Sequence, residues 1–117
     1  ANTHQTLVKG LRQNYKTAAA NTYALALGFM TGNAVEPIRQ ALASSNQNER
    51  INAARAAAYM AGVLSNPDAF HFTSDRTFDI GLLKSLIPQL KVLAQTENDT
   101  VKVYAENALR QIEKLMI

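Results

Sequence analysis

The chain has 117 residues and 12.8 kDa, with 47% hydrophobic residues and a formal charge of +3. That is one globular domain's worth of chain, long enough to bury a core and too rich in apolar residues to stay disordered. No apolar run approaches the length of a membrane span, and the absence of Cys removes disulfides, thiolate zinc sites, iron–sulfur ligation and thiol nucleophiles together.

The first helix is expected near residues 3–13. Thr17 then offers a short side-chain oxygen to the free N–H groups of a second helix near 17–31. That helix carries an apolar stripe at helical spacing: Tyr23, Ala26, Leu27 and Met30. Gly32 and Asn33 end it. Asn33 with Glu36 three residues on resembles a capping box for a third helix near 34–44, and Pro37 falls in its first turn, where a missing N–H is tolerated. Asn48 is the expected cap of a fourth helix near 48–65, with the stripe Ala54, Ala57, Ala58 and Ala61. Ser65, Asn66 and Pro67 close it. After an interruption, a fifth helix is expected near 78–95, with Pro88 deep enough to bend it. Asp99 caps a sixth near 99–116, with the stripe Ala105, Ala108, Leu109 and Ile112. Period-2 alternation of β-branched residues is missing, so no sheet is expected.

These elements repeat. Shifts of 31 and then 51 positions superimpose the three stripes without a gap inside any unit. Leu11, Leu42 and Leu93 fall in one column. Pro37 and Pro88 fall in another, where the first unit has Thr6, and Thr17, Asn48 and Asp99 fall in a third. The chain holds 19 alanines, and alanine richness alone would not align the Leu, Pro and cap columns. Each unit reads as an antiparallel helix pair, over 3–32, 33–65 and 78–117, with an insertion over 66–77. One such pair cannot bury its apolar face alone, so the units must stack, and small alanines let neighbouring helices approach closely.

The segment Val35-Glu36-Pro37-Ile38-Arg39-Gln40-Ala41-Leu42, followed by a polar turn and Asn52-Ala53-Ala54-Arg55-Ala56-Ala57-Ala58, resembles a HEAT-repeat unit, in the short form of bacterial phycobilisome-lyase-type proteins. The third unit is similar, through Ile87-Pro88-Gln89-Leu90-Lys91-Val92-Leu93 and Ala105-Glu106-Asn107-Ala108-Leu109. Asp99 and Lys102 match that family's acidic and basic turn positions. The pairs Asn48 with Ile51 and Thr17 with Ala20 do not. Ala26-Leu27-Gly28 matches its small-Leu-Gly signature. The resemblance covers about four-fifths of the chain by these matched units and implies a short right-handed α-α superhelix of three HEAT-like hairpins, an architecture whose usual work is holding another macromolecule. A pigment-lyase activity is imaginable by the same analogy, but a fold does not establish chemistry.

The stretch around the insertion, about 64–83, concentrates three of the four Phe residues, at 70, 72 and 78, beside His71, Asp68 and Asp75. Phe70, Phe72 and Phe78 either cover the seam between units or offer an aromatic contact to a partner. One His and two acids on a loop match no common metal-ligand spacing, so no metal is expected. In such solenoids the second helices line the concave side, by resemblance. The residues opposite the apolar stripes are Asn21, Leu25 and Gly28, then Asn52, Ala56 and Tyr59, then Val103, Asn107 and Arg110, flanked by Arg55 and Glu106. The expected partner-binding set is therefore Asn21, Asn52, Arg55, Tyr59, Asn107, Arg110, Phe70 and Phe72. Tyr59 is either an exposed anchor or packed on the neighbouring helix.

No nucleotide loop, nucleophile elbow, zinc-protease helix or acid dyad is present, so no catalytic residue, cofactor or enzyme activity is expected. Residues 1–66 sum to +4 and residues 67–117 to −1, which makes nucleic acid an alternative partner through the basic first half. Another protein is the preferred partner, and a pigment or other small ligand a third alternative. The opening Ala1-Asn2-Thr3 fits a processed product or an excised piece, and no targeting motif decides the compartment beyond a slight lean to the cytoplasm. Oligomeric state is not readable.

Overall fold

A computed structural model describes residues 9–66, 76–97 and 99–115. Of these, 81% are helical and none lies in a strand, so the protein is all-α among the described residues. Lys9 and Gly10 are helical. The elements that follow are α1 (Ala18–Phe29), a 3₁₀ turn (Thr31–Ala34), α2 (Val35–Leu42), α3 (Gln47–Ser65), α4 (Arg76–Lys84), α5 (Ile87–Thr96) and α6 (Asp99–Glu113).

Local chemistry sets most of these boundaries. Thr17 caps α1, its hydroxyl oxygen accepting the Ala20 N–H at 3.1 Å. The cap of α3 is Asn46, whose Oδ1 accepts the Glu49 N–H at 3.0 Å, and not Asn48 two residues later. Asn48 is already helical and uses its Oδ1 elsewhere, so the expected column of caps does not hold there. No capping box forms at Asn33 and Glu36. Residues Thr31–Ala34 wind into the 3₁₀ turn, Ala34 precedes α2 without a side-chain cap, and Glu36 pairs with Arg39 at 2.9 Å.

The α1 end also differs from expectation. The helix stops at Phe29, and the residue with left-handed backbone is Thr31, at φ 52°, not Gly32. Gly32 serves a different need, since a Cβ there would overlap the Asp79 carboxylate. The expected helix 78–95 is two helices. Pro88 does not bend it; α4 ends at Lys84 and Pro88 sits in the first turn of α5. A proline ring in mid-helix clashes with the carbonyl four residues back, here Lys84, and the break at Ser85-Leu86 removes that clash. Pro37 likewise sits in the first turn of α2, so the two prolines play the same part.

The helices form two layers. α1, α3 and α6 lie side by side with α3 in the middle. α2 packs on α3, and α5 on α6; α4 fills in against α3 and the 3₁₀ turn. The thinnest extent, 21 Å against 35 and 31 Å, is about two helix diameters of about 10 Å each. Leu11, Leu42 and Leu93, one column in the sequence, are all buried. Their burial joins Ile38, Ile51, Met60, Leu64, Leu83, Leu90 and Ile112 in a single core. The stripes of α3 and α6 are buried apart from a half-buried Ala58, but in α1 the buried side is Ala20, Ala24, Leu27 and Gly28, with Tyr23, Ala26 and Met30 half-buried.

Candidate functional site

α3 is covered by neighbours on several sides, and its one polar row is spoken for. Asn48, Asn52 and Arg55 follow at spacings of four and three, so they share one helix face. All three bind the loop before α1. Asn48 Oδ1 accepts the Tyr15 N–H at 3.2 Å. Asn52 Nδ2 donates to the Leu11 and Gln13 carbonyls at 2.7 and 3.0 Å. Arg55 Nη2 donates to the Tyr15 carbonyl at 2.8 Å. Beside this row, buried Glu49 accepts bonds from Arg12 Nε at 3.0 Å and Ser44 Oγ at 2.9 Å. The bonds from Asn48, Asn52 and Arg55 satisfy loop backbone that would otherwise lie unpaired against α3.

The clamp fixes Tyr15. Its ring meets the edge of Tyr104 on α6, with centroids 5.8 Å apart and planes at 72°, an arrangement favoured by the ring quadrupoles. Arg55 sits between them. Its guanidinium carbon is 5.2 Å from the Tyr104 ring centroid, and Nη2 reaches the Tyr104 oxygen at 3.2 Å. Lys16 lies with Nζ 5.8 Å from the Tyr15 centroid. Behind them the turn is locked locally, because Asn14 Oδ1 accepts the Lys16 N–H and the Thr17 hydroxyl donates to the Asn14 carbonyl, both at 2.9 Å.

These side chains surround an open groove of about 470 Å³, lined by Tyr15, Lys16, Thr17, Ala18, Asn21, Arg55 and Tyr104. A second depression of about 290 Å³ shares the tyrosine pair and is lined otherwise by Thr100 and Val103. The groove thus draws on α1, α3 and α6, the three helices of one layer. Groups of three or more metal-ligating side chains do not occur among the described residues, and no described helix is long and apolar enough to cross a membrane.

The expected partner set divides. Asn21 and Arg55 line the groove together. Tyr59 is half-buried and packs on α1, where a Cβ added to Gly28 would come within 2.8 Å of its own Cβ; its hydroxyl donates to Asn21 Oδ1. Asn52 is fully buried, so it is a clamp and not part of an outward row; Ala56 and Gly28 are buried with it. Asn107, half-buried, and Arg110, exposed, lie further along α6 and line neither depression. Phe70, Phe72, His71, Asp68 and Asp75 lie outside the described residues, while Phe78 stands 63% exposed on α4. The sequence reading missed Tyr15, Lys16 and Tyr104. Neither tyrosine recurs at the repeat offsets, so no column marks them.

No protein-family model, curated protein or solved structure matches the chain.

Proposed function

We propose that this chain is a non-enzymatic protein-interaction module, built as three stacked HEAT-like helical hairpins, that docks its partner on the layer formed by α1, α3 and α6. The observation carrying the reading is the groove at Tyr15, Lys16, Asn21, Arg55 and Tyr104, which gathers side chains from all three helices of that layer and from the clamped loop. Tyrosine and arginine fixed by packing and hydrogen bonds are the residue types that dominate protein interfaces, because little side-chain freedom remains to be lost on binding. The pairing of α2 with α3 and of α5 with α6, with α1, α3 and α6 in a row, supports the stacked-hairpin architecture.

Nucleic acid is the weaker alternative. Of the six cations in the first 66 residues, Arg12, Arg39 and Arg50 are paired with Glu49, Glu36 and Glu97. That leaves no continuous basic track for a phosphate backbone. A small-ligand accessory role asks for an enclosed pocket, whereas this groove is open to solvent.

The test is site-specific photocrosslinking in native extract, with the reactive residue at Asn21 in the groove or at Gln95, exposed on α5 in the other layer. A discrete protein adduct from position 21 and not from position 95 is the expected result. Adducts from position 95 alone would put the partner on the opposite face.

A further inference from the structure

The chemistry of the groove also says what kind of surface should dock there, provided it is a docking face at all, as read above. Among its described lining residues two are cations, Lys16 and Arg55, and none is a carboxylate. Three arginines of the same half of the chain are placed differently. Arg12, Arg39 and Arg50 each face a glutamate at 3.0, 2.9 and 2.9 Å. Lys16 and Arg55 instead face tyrosine rings, at 5.8 and 5.2 Å. A ring face attracts a cation through its quadrupole but leaves the net charge in place. Arg55 makes both of its bonds, to the Tyr15 carbonyl and the Tyr104 oxygen, from Nη2, so those bonds do not consume Nη1 or Nε.

From this we infer that the groove takes an acidic peptide segment, with a Glu or Asp carboxylate between Lys16 and Arg55 and the peptide's adjoining methylene and backbone atoms against Tyr15 and Tyr104. Arg55 is already held in place by the Tyr15 carbonyl, so less side-chain freedom is lost when the carboxylate arrives. Two cations against two aromatic rings match one or two acidic side chains. A nucleic acid strand presents a charge at every nucleotide, and the arginines that would extend the track are already neutralised by glutamates.

The experiment is an amide-resolved NMR titration of the full chain with a short peptide of alternating Glu and Ala, its Gln-for-Glu counterpart, and an oligothymidine of the same length. The Glu peptide should move the signals of Lys16, Thr17, Ala18 and Asn21. Binding should weaken as ionic strength rises from about 0.01 M to about 0.15 M, over which the screening length falls from about 30 to about 8 Å. The Gln peptide should bind far more weakly. Lys16→Gln should lower Glu-peptide affinity about threefold, the size expected of one exposed charge pair, while Lys91→Gln on α5 leaves it unchanged. Equal binding of the Gln peptide, indifference to Lys16→Gln, or tighter binding of oligothymidine at these residues would each overturn the inference. The two readings fail separately. A position-21 protein adduct without Glu-peptide binding keeps the docking face and removes the acidic partner. Glu-peptide shifts without any protein adduct keep the carboxylate site and remove the protein partner.

Discussion

Asn52 is a fully buried amide on an alanine-rich helix, and its neighbours decide what it does. From sequence it faces away from the Ala54, Ala57, Ala61 stripe and so reads as an outward residue. In the fold that side of α3 is roofed by the loop at Leu11–Tyr15, and Asn52 holds two of the loop's carbonyls. Removing it strands the carbonyl of buried Leu11, while that of Gln13, an exposed residue, turns to water. We expect Asn52→Ala to cost about 1–2 kcal/mol of unfolding free energy in a urea titration, since one buried unsatisfied group costs about 1–3 kcal/mol and the change also removes the unpartnered Asn52 Oδ1. Asn21→Ala, on an exposed position, should stay within about 0.5 kcal/mol of the parent. A small effect at Asn52 would mean that the loop finds water or other partners when the amide is gone. The site was therefore only half legible. Asn21 and Arg55 follow from periodicity, but Tyr15 belongs to a loop with no period, and its contact with Tyr104 joins residues 89 apart in the chain through a third element.

At the scale of the helix, the boundaries that simple chemistry controls were readable and those set by packing were not. Thr17 before α1 and Asn66 after α3 are local devices, visible in the sequence. The choice of Asn46 over Asn48 as the α3 cap turns on where the loop at Tyr15 lies, since Asn48 is drawn to it. Pro88 reads from sequence as a bend within one helix, whereas the chain breaks at Ser85-Leu86, because the proline's effect falls on the residues before it. Two glycines make the packing difference measurable. Gly28 in α1 lies where a Cβ would come within 2.8 Å of Tyr59 Cβ and 3.0 Å of the Met60 nitrogen, and a backbone atom cannot swing aside. Gly62 in α3 is exposed, and a Cβ there would meet nothing within 4 Å. Gly28→Ala should therefore destabilise by about 1–3 kcal/mol through overpacking. Gly62→Ala should stabilise by about 0.5–1 kcal/mol through helix propensity and a less flexible unfolded chain. Thermal unfolding of the two variants should give melting temperatures on opposite sides of the parent. A raised melting temperature for Gly28→Ala as well would mean that α1 does not lie against α3 at Gly28.

For the whole molecule the central question is whether stability is shared by the entire fold or passed between neighbours. α3 touches α1, α2, α4 and α6, whereas α5 leans mainly on α6. In stacked hairpins each unit depends on the adjacent one, so a lesion at one end opens that end first; in a single closed bundle all helices open together. Leu90 on α5 is fully buried, and replacing it with Ala removes core volume worth about 2–5 kcal/mol. If the units are stacked, amide exchange in Leu90→Ala should accelerate strongly across α5 and α6, while Ala24 and Leu27 in α1 keep most of their protection. The contact of Tyr15 with Tyr104 works against that separation, because it ties the loop before α1 to α6 over the top of α3. Its strength bounds the coupling: an edge-to-face pair adds about 0.5–1.5 kcal/mol beyond burial, less than the cost of the Leu90 cavity. Local opening should therefore prevail, and a Leu90→Ala variant in which α1 exchanges as fast as α6 would place the protein among cooperative bundles and remove the stacked-hairpin architecture.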